Sequence, residues 1–240
     1  MVSALSPGWV LHRRPYRNTS LLLEVFCSDH GRFGMVARGA QRPKSMVKGL
    51  LQPFQPLLLA WTGKGELMTL AAAEADGSGW PGLPPRRLLS GFYLNELLMR
   101  LLPRHEPYPE LFDSYRSALY ELAAEHDEQA VLRRFELQLL AGIGYGLQLT
   151  SDSDGRPIDP QGGYDYIADT GTCRRNAGDT VRGVAVTGHT LLALADGRFD
   201  EPEVLAEAKR LTRYVLTGQL QDRPLKTRDL ARFWPRNPAR

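Results

Sequence analysis

An α+β chain of two domains, a five-stranded OB-type β-barrel followed by a mostly α-helical domain, is what three features of the sequence predict. Apolar residues alternate with a period of two in the first third of the chain and recur with a helical period after residue 85. A Gly/Pro-dense stretch, Gly77-Ser-Gly-Trp-Pro-Gly-Leu-Pro-Pro85, separates the two regimes. The first regime breaks into five short strand-like runs, the number an OB barrel uses. Domains are therefore expected at 1–80 and 81–240, the second with an irregular insert at about 148–180.

The elements follow in order. Residues 8–13 read as a first strand, with Pro15 and Asn18 marking a turn. In residues 20–27, Leu21, Leu23, Val25 and Cys27 share one face, and Leu22, Glu24 and Phe26 the other. Ser28-Asp29-His30-Gly31 is turn chemistry, and a third strand resumes over 32–38. Residues 54–61 and 66–73, joined by Gly63-Lys64-Gly65, read as a hairpin. Beyond the break, Leu94, Leu97, Leu98, Leu101 and Leu102 form one helical stripe. Leu111, Tyr115, Ala118, Leu119 and Leu122 form a second, and Leu132, Phe135, Leu139 and Ile143 a third. Residues 150–180 show little periodicity and read as a long loop or small irregular subdomain. Helical spacing returns at Val204, Ala208, Leu211 and Val215, and a last short helix is expected over 225–233.

Charge is unevenly placed. The net charge is only +3, yet residues 1–80 hold nine Lys/Arg against five Asp/Glu and residues 198–240 ten against six, flanking an acidic middle. Between Gly31 and Lys48 lie Arg32, Arg38, Arg42, Lys44 and Lys48 without one carboxylate. Such a run repels itself, and a polyanion relieves the repulsion while releasing condensed counterions. The plain alternative is a solvated basic face. The two cysteines, Cys27 and Cys173, are too few for a disulfide framework and fit a reducing compartment. No apolar run approaches the roughly 20 residues that span a bilayer, and no leader pattern opens the chain, so a cytoplasmic protein without membrane contact is expected.

Several chemical signatures fail. Gly142-Ile-Gly-Tyr-Gly146 ends a helix instead of joining a strand to one, so it reads as a C-cap. Asp152-Ser-Asp-Gly155 begins like a calcium loop but has Gly163 at the twelfth position, where glutamate is needed. Asp165 and Asp169 lie four apart outside any helical pattern. The five histidines show no ligand spacing, and there is neither a P-loop nor a triad. No enzyme, metal or cofactor is expected. Two rival readings stay open: a nuclease using the Asp-rich 152–169 segment, and an adaptor whose basic patch receives acidic peptides.

Three blocks carry a family resemblance. Gly31-Arg-Phe-Gly-Met-Val-Ala-Arg-Gly-Ala-Gln-Arg-Pro-Lys-Ser45, with Leu51-Gln-Pro-Phe54, Gly65-Glu-Leu67 and Glu74, resembles the N-terminal signature of the RecO recombination mediators. Arg134-Phe-Glu-Leu137, Leu139-Leu140 and Gly144-Tyr-Gly146 resemble that family's central helix. Leu225-Lys-Thr-Arg-Asp-Leu230, after Arg223-Pro224, is similar to its C-terminal segment. The resemblance implies a non-enzymatic role in DNA repair: binding single- and double-stranded DNA, annealing complementary strands, and engaging RecR and the acidic tail of the single-strand-binding protein so that RecA loads. Many members carry four zinc-binding cysteines near 148–178. Here only Cys173 is present, so the segment is expected to be ordered by packing and hydrogen bonds without metal.

An OB barrel lays nucleic acid along a strand face, with phosphates on cations and bases on aromatics. The DNA-binding candidates are Arg13, Arg14, Arg17, Arg32, Arg38, Arg42, Lys44 and Lys48, with Lys64 beside them and Phe33 and Tyr16 as candidate stacking platforms; the alternatives are a core role for the two aromatics, a solubilising turn role for Lys64, and pairing of Arg14 or Arg17 with Glu24 or Asp29. Arg32, Arg38, Arg42 and Lys44 stand out because no acid is near them in sequence. For an acidic tail with an apolar end, Arg133 and Arg134 beside the Leu132/Phe135 stripe are candidates, with Lys209, Arg210 and Arg213 as rivals; ion pairs with Glu128, Glu136 or Glu207 are the structural alternative.

Overall fold

The structure, a computed structural model, describes residues 2–176, 178, 180–221, 224–231 and 233. Arg223, part of the C-terminal motif, lies outside the described residues, as does Arg232 within the expected last helix. Two compact units are present, Met1–His126 with Leu225–Arg240, and Asp127–Pro224.

In the first unit, β1 (Ser6–Tyr16), β2 (Ser20–Cys27), β3 (Gly31–Ala37), β4 (Pro56–Thr62) and β5 (Leu67–Ala75) close into a barrel in the order β1-β2-β3-β5-β4. All neighbours are antiparallel except β3 and β5. This is the five-stranded architecture expected from the alternation. Leu21, Leu23, Val25 and Cys27 of β2 point inward, meeting Val10, Phe33, Met35, Leu57, Leu59 and Trp61 in the core. Burial pushes the Cys27 thiol far up, with nearby Asp29 adding to the effect, so it is an inert core residue.

The first strand runs further than expected and includes Pro15, which pairs with Leu21. A register shift between Val10 and His12 lets Trp9, Val10 and Leu11 all be buried in succession. Val10 fills the barrel, while Trp9 lies outside it against Tyr115 and Trp80, with ring centroids 5.7 and 5.9 Å away. Phe26, on the outer face of β2, meets Phe112 at 5.4 Å. Trp80 belongs to the stretch before α1 (Leu88–Leu101), and Tyr115 and Phe112 to α2 (Pro109–Ala123). Asn95 of α1 fixes that cover: its amide donates to Leu11 O at 2.8 Å and it accepts from the Tyr115 hydroxyl. One side of the barrel is thereby apolar and sheathed.

The chain's last helix, α6 (Lys226–Ala231), also belongs to this unit. Buried Glu96 of α1 accepts hydrogen bonds from Lys226 N, Thr227 N and Thr227 Oγ1, and so caps α6.

The second unit contains α3 (Glu128–Gly142), β6 (Gly163–Ile167), β7 (Gly171–Arg174), β8 (Val184–Thr187), α4 (Gly188–Ala195) and α5 (Pro202–Gln219). The stripe on α3 packs on that of α5. Gly144, at φ +85°, takes the left-handed backbone just past α3, the turn expected of the glycine-rich stretch. Of the long loop or small irregular subdomain expected over 150–180, the structure shows an ordered piece: β6 and β7 lie within it and, with β8 beyond it, form an antiparallel sheet in the order β7-β6-β8. Its strands are four or five residues long, and a buried Asp165 between buried Tyr164 and Tyr166 erases the alternation that would have announced it. No helix among the described residues is long and apolar enough to cross a membrane.

Candidate nucleic-acid interface

The barrel end bearing the β1–β2 turn and the β3–β4 loop gathers the basic residues. Residues 38–55 leave β3 as a chain of tight turns, with Arg42 N, Ser45 N, Lys48 N and Leu50 N each bonded to the carbonyl three residues back. The loop is nevertheless anchored. Ala40 and Leu51 are fully buried in the barrel core, and Val47 and Leu50 pack against it. Gln41 ties it to the neighbouring hairpin, its backbone N–H donating to Thr19 O at 2.9 Å and its side-chain amide to Ser20 O at 2.6 Å. Arg13 adds a third tie, its guanidinium donating to Leu51 O at 3.3 Å.

These ties bring Arg17, at the hairpin tip, beside the loop that carries Arg38, Arg42, Lys44 and Lys48. Those five and Arg14 of β1 are exposed, and none forms an ion pair among the described residues. Six unneutralised cations are thus held on one end of one barrel, which raises the local potential for any anion. Tyr16 lies half-buried in the same hairpin with the Arg17 guanidinium 5.2 Å from its ring centre.

Two expectations change and one open choice is settled. Arg32 does meet an acid: Glu24, across the β2–β3 ladder, pairs with it, and both Nε and Nη2 of Arg32 donate to Leu102 O. Burial presses the Arg32 pKa down, while Glu24 opposes that shift. Glu24 also binds Arg104 at 2.7 Å, so this network fastens residues 102–104 to the barrel wall and Arg32 is not available to a ligand. Sequence distance misled because the β2–β3 register, with Glu24 opposite Gly34 and Arg32 opposite Phe26, makes the two residues diagonal neighbours. Of the two roles open to Phe33, the structure shows the core one. Lys64 sits exposed in the β4–β5 turn, at the barrel end opposite the basic loop. Gln41, which positions the loop, escaped notice because a lone amide in a turn-rich run has no periodic signal.

The second basic group lies in the other unit. Arg133 is buried and pairs with buried Glu136, which also accepts from Thr212 Oγ1 of α5. It is an internal helix-to-helix fastener and not the rim of a peptide pocket. Arg134 is half-buried with its guanidinium 5.5 Å from the Phe199 ring centre. On α5, Arg210 pairs with Glu207, whereas Lys209 and Arg213, four apart and therefore on one face, are exposed without an ion pair among the described residues.

The acidic 152–169 segment is engaged in shaping the small sheet. Asp152 accepts from the backbone N–H groups of Asp154 and Arg156, Asp159 from Gln161 N and Arg174, and Asp165 from Arg175 and Arg182 N. Hydrogen bonds to Gln161 and Arg174 hold the Asp159 carboxyl below its usual value. Among the described residues no three His, Cys, Asp or Glu side chains converge as a metal site. Carboxylates bonded to backbone N–H groups and arginines are poorly placed for the divalent-ion chemistry a nuclease needs.

Two family models match the chain in tandem, one described as recombination protein O N terminal over residues 1–78 and one as recombination protein O C terminal over residues 84–229. The DNA repair protein RecO of Methylococcus capsulatus is 51% identical over 229 residues, covering 95% of this chain and 93% of the relative. The protein of the same name from Nitrosococcus oceani is 48% identical over 227 residues, covering 94% and 92%, and that from Azoarcus is 46% identical over 224 residues, covering 92% of each.

Proposed function

Because the chain belongs to the recombination protein O family, a family of DNA repair proteins, we propose that the basic barrel end is its DNA-binding surface and that it anneals complementary strands. The observation that carries this reading is the set of six exposed, unpaired cations, Arg14, Arg17, Arg38, Arg42, Lys44 and Lys48, held together by the Gln41 and Arg13 ties. Cations of this kind grip sugar–phosphate chains whatever their bases, so single- and double-stranded DNA are both bound without strong sequence preference. Neutralising two strands at once lowers the repulsion between them, which is the physical requirement for annealing. Residues 1–80 supply this grip and residues 81–240 the protein contacts. The place of action is the cytoplasm, at the nucleoid.

The finer assignments rest on the family. RecR and the single-strand-binding protein are the partners, and loading of RecA onto coated strands is the outcome. For the acidic tail of the single-strand-binding protein, Lys209 and Arg213 are the contact residues, with Arg134 of the same unit a further candidate; Arg133 is excluded by its burial. An annealing assay with fluorescent complementary strands, bare or coated with single-strand-binding protein, tests both parts. Arg38→Ala with Arg42→Ala is expected to slow annealing of bare and coated strands alike. Lys209→Ala with Arg213→Ala is expected to slow only the coated reaction. Unchanged rates with the first variant would overturn the DNA surface, and a loss on bare strands with the second would overturn the tail assignment.

A further inference from the structure

Within the basic loop sits one residue that phosphate binding does not explain. Met46 is 94% exposed, more than any other large apolar side chain among the described residues. Its neighbours show that this is not a floppy excursion. Ser45 and Val47 on either side are half-buried, Ser45 N bonds Arg42 O, and Val47 packs on the barrel core. The backbone thus holds Met46 outward on the same loop as Arg42, Lys44 and Lys48, which are exposed without ion pairs among the described residues. An apolar side chain fixed in water among cations costs solvation and gains nothing within the molecule. Its surroundings select the partner: something polyanionic that also offers an apolar face. A single-stranded nucleic acid has both, because its bases present π-faces that a duplex hides in its stack.

We propose that Met46 is a base-contacting residue, its thioether packing on the face of an unpaired nucleobase while Arg42, Lys44 and Lys48 hold the flanking phosphates. This rests on the reading of the loop as a DNA surface and deepens it, giving the surface a preference for unpaired strands. Every base has a π-face on which an apolar side chain can pack, so the contact adds affinity without adding sequence preference.

Binding measured by fluorescence anisotropy on oligothymidylate and on an equally long strand of abasic sites tests this. The unaltered protein should prefer oligothymidylate. Met46→Ala should weaken that binding by about fivefold, leave the abasic strand unchanged, and be rescued by Met46→Leu. Equal affinities of the two proteins for oligothymidylate, or an equal loss on both strands, would overturn the base contact while leaving the phosphate grip intact. Failure of the unaltered protein to bind either strand at low salt would overturn the DNA surface itself.

Discussion

Two arginines that look alike in sequence, Arg32 and Arg42, have opposite roles. Arg32 is tied to Glu24 and to Leu102 O, so Arg32→Ala leaves Glu24 with Arg104 alone and Leu102 O without two donors. A loss of about 1–3 kcal/mol in unfolding free energy is expected in urea denaturation. Arg42→Ala, at an exposed site without an ion pair, should fall within about 0.5 kcal/mol of the parent. The same contrast divides the second basic group. Arg133→Ala removes a buried partner of Glu136 and should cost about 3–5 kcal/mol, whereas Lys209→Ala should leave the thermal midpoint unmoved. A thermal midpoint unaffected by Arg133→Ala would contradict the internal role given to it.

Turns and caps decide the outcome for whole elements. Gly31 starts β3 at φ +66°, and a Cβ there would lie 1.8 Å from Glu106 O. Gly31→Ala therefore combines a left-handed backbone with a main-chain clash and should unfold the strand's start, read as a cooperative loss of stability in circular dichroism. The α6 cap gives a pH signature. Burial alone would raise the Glu96 pKa, but the hydrogen bonds from Thr227 and Lys226, helped by Arg100, bring it below the ordinary carboxylate value. A lowered folded-state value means that its stabilisation is complete above about pH 4.3 and is lost as pH falls further through the folded value. Amide exchange in α6 should accelerate below that point, and Glu96→Gln should remove the dependence. Much at this scale was legible in the sequence: β2 matches its expected 20–27 span, and the four amphipathic stripes became α1, α2, α3 and α5. What stayed hidden was whatever long-range pairing decides. The β6–β8 sheet is short and has Asp165 in its interior, α4 is only eight residues long, and the Arg32–Glu24 pair exists only once β2 and β3 are in register.

For the molecule as a whole, the barrel presents two unlike surfaces. Its Trp9 and Phe26 side is apolar and lies under α1 and α2, while the end bearing the 38–50 loop is cationic and open. A fragment ending at Gly79 would expose Trp9 and Phe26, each worth about 1.5–3 kcal/mol when buried, and should bind hydrophobic dyes and aggregate where the full chain does not. The same division explains why composition understated the function: a net charge of +3 conceals a surface on which six cations stand without counter-charge. The salt dependence of single-stranded DNA affinity tests that surface most directly. If all six make phosphate contacts, the logarithmic slope should be about −4 for the full chain, shallower by about 1.4 with Arg38→Ala and Arg42→Ala together. An identical slope for parent and variant would mean that the loop does not hold the phosphates, and the account of this surface would be wrong.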